Sequence, residues 1–157
     1  MSRVLDSRPT CMADDEPDAQ LAYLQPLTGT WTTEGAHPLL PGDVIRGRAT
    51  FEWLDGGKFL IWRCQYDHLQ IPDAVSVTGV TDGRLSMHYF DTRGVFRVYS
   101  LSASPGSWRS WRDGPDFAQR ATCTFSDDGE TITSRGELSH DGTTWDEDLR
   151  LVYRRSR

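Results

Sequence analysis

Ala74-Val75-Ser76-Val77-Thr78-Gly79-Val80-Thr81-Asp82-Gly83-Arg84-Leu85-Ser86-Met87-His88-Tyr89-Phe90 is the stretch that decides the fold. Two runs rich in Val, Thr, Met, Tyr and Phe meet at an Asp-Gly dipeptide. Asp and Gly tolerate the positive φ angles of tight turns, so the dipeptide between such runs signals a β-hairpin. The flanking residue types suit a pleated, half-buried surface. The same dipeptide recurs at Asp55-Gly56, Asp113-Gly114, Asp128-Gly129 and Asp141-Gly142. Pro115 follows Asp113-Gly114 and makes that dipeptide part of a longer loop.

Working outward, the alternation of apolar and polar residues predicts strands over Gly29–Gly35, Val44–Leu54, Lys58–His68, Ala74–Asp82, Arg84–Phe90, Val95–Ala103, Ser107–Asp113, Phe117–Ser126, Thr131–Ser139 and Thr144–Arg154. That is about ten strands at the spacing of all-β folds. No helical segment interrupts them, which excludes parallel βαβ units. Ahead of them, Asp14-Asp15-Glu16-Pro17 reads as a helix start, with acids at the positive end of the dipole. Leu21, Tyr23 and Leu24 give a brief apolar face that Pro26 ends. Residues 1–15 read as a disordered leader and 16–157 as one domain. The loop His37-Pro38-Leu39-Leu40-Pro41-Gly42 reads as a plain connector, with a lid as the alternative.

A meander of short strands has unpaired edges, which closure removes, and a closed barrel of this size has room for one small ligand. The expected fold is therefore all-β: a single up-and-down antiparallel β-barrel of about ten strands with a short N-terminal helix. Strand faces support it. Ile45, Ala49, Phe51 and Trp53 oppose Arg46, Arg48, Thr50 and Glu52. In the last strand Trp145, Glu147, Leu149, Leu151 and Tyr153 share one face by strict alternation.

The net charge of −6, without a basic run of five residues, argues against nucleic acid as a partner. The C-terminal Arg154-Arg155-Ser156-Arg157 reads as a solvated tail. No apolar run approaches a membrane span, and Met1–Asp18 lacks the apolar core of a secretory signal. Cys11, Cys64 and Cys123 are too few and too separated for a disulfide framework or a Cys-x-x-Cys site. Cys64 and Cys123 are expected to behave as small buried hydrophobes. A reduced, cytoplasmic setting fits this usage. The sequence leaves a homodimer open.

Leu27-Thr28-Gly29-Thr30-Trp31, a Gly-x-Trp at the first strand after a short helix, resembles the opening of lipocalin-like (calycin) barrels. Met87-His88-Tyr89-Phe90-Asp91-Thr92-Arg93-Gly94-Val95, Phe117-Ala118-Gln119-Arg120 and Asp141-Gly142-Thr143-Thr144-Trp145 resemble a bacterial calycin-like family of unknown function. The resemblance spans roughly residues 25 to 155 and implies a barrel that binds something small in its interior. Nitrobindin-type barrels also begin with Gly-x-Trp and hold haem through a His near the C-terminus. Here the last His, His140, falls beside the Asp141-Gly142 turn. Fatty-acid-binding proteins hold a carboxylate with an Arg-x-Tyr pair in the last strand. In this chain Arg150-Leu151-Val152-Tyr153 breaks that spacing, and Arg97-Val98-Tyr99 has it in a middle strand. Phenolic acid decarboxylases, lipocalin-like barrels too, work with Tyr, Arg and Glu.

The residues expected to line a ligand site are Trp31, Trp53, Tyr89, Arg97, Tyr99, Trp111 and Glu147. An inward Glu147 would be a ligand-orienting group or a general acid/base; its structural alternatives are an ion pair or a place at the barrel mouth. Arg97 and Tyr99, on one strand face with Val95 and Leu101, would form an anion clamp if inward. Phe96 and Val98 make the opposite face apolar too, so orientation stays open. Trp108 and Trp111 fall on opposite faces, and the Trp/Arg interleaving there suits either pocket lining or ordinary packing. His88, next to Tyr89 and near Asp91, is either an acid/base candidate or a plain strand residue. His37, His68, His88 and His140 show no metal-ligand spacing, Lys58 is the lone lysine, and no cofactor motif is present. These features point to a barrel holding a small hydrophobic or aromatic ligand that can carry an acidic group. The alternatives are an isomerase, cyclase or decarboxylase using Glu147, Tyr99 and Arg97, and a haem-binding nitrobindin-like protein.

Overall fold

The computed structural model describes residues 16–157, so the leader expected over 1–15 lies outside them. A helix α1 (Pro17–Ala22) and a 3-10 turn (Gln25–Leu27) precede ten strands. These are β1 (Gly29–Ala36), β2 (Ile45–Trp53), β3 (Phe59–Tyr66), β4 (Ala74–Thr81), β5 (Arg84–Asp91), β6 (Phe96–Ser104), β7 (Ser107–Asp113), β8 (Ala118–Phe125), β9 (Thr131–Ser139) and β10 (Asp146–Arg155). Every strand pairs antiparallel with its sequence neighbours, and β1 pairs with β10 to close the barrel. Pro26 does not end the helical segment; it opens the 3-10 turn.

The turns alternate between two ends. At one end lie the turns 54–58, 82–83, 105–106 and 126–130 together with the helical segment; we call this end the floor. At the other, the mouth, lie the longer loops 37–44, 67–73, 92–95, 114–117 and 140–145. Asp82 and Gly83 both take positive φ, 51° and 74°, which is the two-residue hairpin geometry the dipeptide predicts. Gly114 has no positive φ, in keeping with its place in the longer loop ending at Phe117.

The floor is built around Trp31, which is fully buried and donates its indole N–H to the Leu27 carbonyl at 2.8 Å. Leu21, Leu24, Leu27 and Ile132 are buried in the same cluster, and Phe125 packs against both Trp31 and Trp108. The helical segment is tied down by the Gln20 side-chain oxygen, which accepts the Ala103 N–H at 3.0 Å. The C-terminal arginine cluster is not a free tail. Arg155 lies 4.2 Å over the Trp31 ring and donates to the carbonyls of Thr28 (2.9 Å) and Pro26 (2.8 Å). Gly29 sits at φ 124°, and a Cβ there would come within 3.1 Å of that guanidinium. The Gly-x-Trp opening thus has a physical reason: the glycine makes room for an arginine stacked on the tryptophan.

Across β1–β4 the registers align Trp31, Ala49, Cys64 and Ala74, all inward and buried. Strict alternation fails in one place. The β9–β10 register shifts between Glu147 and Arg150, where β10 carries one extra residue. Beyond the bulge Leu151 and Tyr153 point inward and are buried; before it the faces are exchanged. Glu147 stands opposite Glu137 on the outer surface, 64% exposed, with Arg150 at 3.0 Å and Arg135 at 3.9 Å. Trp145 also lies outside, under the Arg120 guanidinium at 3.9 Å. The expectation of an interior Glu147 is therefore corrected, and Asp148 takes the inward position. Among the described residues no helix is long and apolar enough to cross a membrane.

Candidate functional site

The interior holds a cavity of about 250 Å³ that runs from the floor to the mouth. Its lower part is lined by Leu24, Leu27, Leu60, Leu101, Trp108 and Ile132. Higher up it meets Phe51, Trp62, Met87 and four phenols, Tyr66, Tyr89, Tyr99 and Tyr153. Gln119 and Asp148 bring polar groups to it at the mouth. Three buried side-chain polar atoms among the described residues lack a hydrogen-bond partner: Thr33 Oγ1, Trp62 Nε1 and Arg112 Nη1. Trp62 belongs to the cavity wall, so its indole N–H is an unused donor there. Leaving such a donor unmatched costs about 1–3 kcal/mol.

The inward face of β6 carries Arg97, Tyr99, Leu101 and Ala103, while Phe96 and Val98 are 57% and 45% exposed outside. The orientation left open by the sequence is thereby settled. Tyr99 donates its hydroxyl to Gln119 Oε1 at 2.8 Å, and Arg97 Nη1 donates to the same oxygen at 3.3 Å. Tyr99 packs edge-on against Tyr89, ring centres 6.1 Å apart. The amide nitrogen of Gln119 faces Asp148 Oδ2 at 3.5 Å, and Asp148 Oδ1 meets His37 Nε2 at 2.9 Å. His37 Nδ1 accepts the Leu39 N–H at 3.1 Å, which leaves the ring proton on Nε2 for Asp148. The loop 37–44 is held again near its far end, where Asp43 Oδ2 meets His68 Nε2 at 3.0 Å.

Burial, ahead of the opposing pull of Arg97 and Arg112, raises the Tyr99 phenol above its usual pKa. Burial likewise raises Tyr66, Tyr89 and Tyr153, so the cavity phenols stay protonated and act as donors at neutral pH. Tyr89 donates to Asp91 Oδ2 at 2.9 Å, and Arg93 Nη2 reaches the same oxygen at 2.7 Å. The Arg93 side-chain bond is the largest influence holding the buried Asp91 carboxyl down at about 2. Burial pushes the thiols of Cys64 and Cys123 up to about 11, so both are protonated and weakly nucleophilic, and of the two Cys123 lines the cavity.

Of the seven residues expected at a ligand site, the structure brings Tyr89 and Tyr99 into the cavity lining and sets Arg97 beside Tyr99 on the shared Gln119 oxygen, outside that lining. Trp31 is sealed into the floor below the cavity lining. Trp53 bonds to Gln25 Oε1 at 2.6 Å on the rim beside the helical segment. Trp111 lies on the outside, 37% exposed, and Trp108 is its inward counterpart. Glu147 is outside, as described above. His88 is also outside, stacked on Phe96 with ring centres 6.3 Å apart.

Sequence reasoning missed Trp62, Gln119 and Asp148. Gln119 lies in a run that the resemblance flagged, and Trp62 shares the inward parity of Leu60 and Cys64; the bulge hid Asp148. None of the four described histidines lines the cavity. His140, the last of them, is exposed with its ring edge-on to Phe117, so the positions do not fit axial ligation of a haem held inside the barrel. Among the described residues no three His, Cys, Asp or Glu side chains converge as a metal site.

A closed ten-stranded up-and-down barrel with an aromatic cavity and a polar mouth is the class that fold and site define. Among solved structures, the crystal structure of Rv2717c from M. tuberculosis is similar at a TM-score of 0.63 with 16% identity, covering 88% of this chain and 98% of that one. At that identity the likeness bears on the fold. No family model matches the sequence, and no curated protein matches it.

Proposed function

We propose that this protein is a calycin-like barrel that binds a small, mainly apolar or aromatic molecule in its interior and works in the reducing cytoplasm. The observation that carries the reading is the cavity itself, with Trp62, Trp108, Phe51 and four phenols around it and one unused indole donor in its wall. Ligand sites of this kind combine apolar walls with a few placed polar groups. Its volume of about 250 Å³ lies below the roughly 300–1,000 Å³ of drug-sized pockets and favours a compact ligand. The Gly29-Thr30-Trp31 opening and the fold shared with Rv2717c support the calycin-like assignment. The reduced cysteines Cys64 and Cys123 support the compartment.

Native mass spectrometry of freshly purified protein, followed by thermal shift across acyl, aromatic and terpenoid libraries, tests it. The expected result is a co-purifying small molecule or a stabilising hit. A ligand at a hundredfold excess over its Kd adds about 2.7 kcal/mol. An adduct-free spectrum together with no stabilisation across all three libraries would refute the reading.

A further inference from the structure

Arginine is nearly the sole basic residue of this chain, and its partners divide the described copies into groups. Arg46, Arg63, Arg93, Arg120, Arg135, Arg150, Arg155 and Arg157 each have a carboxylate within 4.0 Å. Arg48, Arg84, Arg109 and Arg154 are exposed, where water solvates the charge. Arg97 and Arg112 alone among the described arginines are half-buried and lack a carboxylate at ion-pair distance. Both stand over one ring: each guanidinium carbon lies 5.0 Å from the Phe117 centroid. Arg112 Nη1 is buried with no hydrogen-bond partner at all. Gly114 gives Arg112 its place, since a Cβ there would run into the Arg112 guanidinium.

Two like charges gathered on one aromatic ring repel each other, and desolvation adds to that cost. An anion held by both arginines offsets both penalties. The position where such an oxygen would sit is marked within the protein. Gln119 Oε1 accepts from Tyr99 and Arg97 together, so these donors converge on one acceptor point. Being neutral, that amide oxygen satisfies the bonds and leaves the charge uncompensated. Asp148 meets Gln119 through the opposite end of the amide and is engaged by His37.

We infer that Arg97 and Arg112, with Tyr99, form a carboxylate site at the mouth, and that the ligand of the cavity is a small organic acid whose apolar part points toward the floor. This rests on the interior-binding reading above and adds the chemical class. An anion head fits the planar donor forks of two arginines, and an apolar tail fits the walls.

Calorimetry with octanoate against octanol tests the site, since the two differ only in the head group. Wild-type protein is expected to bind octanoate at least about tenfold more tightly. Arg112→Met should bring octanoate down to the octanol level while leaving octanol unchanged. Arg112→Lys, which keeps the charge and loses the fork, should keep part of the preference and covers the case in which the methionine variant does not fold. Equal binding of the two compounds by wild type would overturn the carboxylate site and leave interior binding intact. So would a preference that survives both Arg112→Met and Arg97→Met. Binding of neither compound, with no hit in the wider libraries, would sink both.

Discussion

Each end of this barrel carries an arginine laid over an aromatic ring, and the two are treated in opposite ways. At the floor, Arg155 stacks on Trp31, donates to the Thr28 and Pro26 carbonyls and lies near Glu130. At the mouth, Arg112 stands over Phe117 with Nη1 unmatched and no acid beside it. The floor arginine closes the barrel: it joins the last strand to the turn before the first. Beyond that ring, the side chain of the mouth arginine has no hydrogen bond or ion pair among the described residues. A charge kept half-buried without a partner destabilises the free protein, and such groups persist where a bound molecule completes them. The comparison separates architecture from function within a single residue type.

Exchanging each arginine for methionine puts the contrast under strain. Arg155→Met should cost about 2–3 kcal/mol in denaturant unfolding, because charge-assisted bonds are lost and carbonyls at the barrel seam are left unmatched. A loss below about 0.5 kcal/mol, the level of ordinary surface substitutions, would show that the floor does not depend on this clasp.

Asp91, the paired acid of the mouth, sharpens the same contrast through pH. Its carboxyl is held down at about 2 in the folded protein, against about 3.9 unfolded. The stabilisation is thus fully present above about pH 4 and is lost as the pH falls toward 2. Wild type should exceed Asp91→Asn by about 1–2 kcal/mol at neutral pH, an allowance made for the half-exposed Arg93. The two unfolding curves should converge near pH 2. Parallel curves across that window would remove Asp91 from the account.

The smallest effect belongs to the unpaired arginine. Arg112→Met should change stability by less than about 1 kcal/mol, in either direction, since it removes an unmatched donor along with a stacking contact. A loss as large as that for Arg155→Met would mean that Arg112 is structural after all.

Most of the container could be read from the sequence. Alternation and turn chemistry are local, and they placed ten strands and the inward face of β2 close to where they lie. The site was harder because it depends on parity. One extra residue in β10 exchanges the faces ahead of it, so a pattern that put Glu147 inside in fact puts Asp148 there. Nothing in Trp145-Asp146-Glu147-Asp148-Leu149 announces a bulge, since both registers place an acid inward. The Trp108/Trp111 pair shows the same limit: opposite faces were evident, and which face was inside was not. Arg155 was misjudged because its partners, the carbonyls of Pro26 and Thr28, lie at the other end of the chain.

Tryptophan reports on both sides of the wall, which makes one measurement decisive. In an amide-nitrogen NMR spectrum, the indole N–H signals of Trp62 and Trp108 belong to the cavity, while those of Trp111 and Trp145 belong to the exterior. On titration with octanoate, the account predicts that Trp62 and Trp108 shift together and saturate while Trp111 and Trp145 hold still. Saturable movement of Trp111 or Trp145 with Trp62 unchanged would place binding on the outer surface and contradict the interior site.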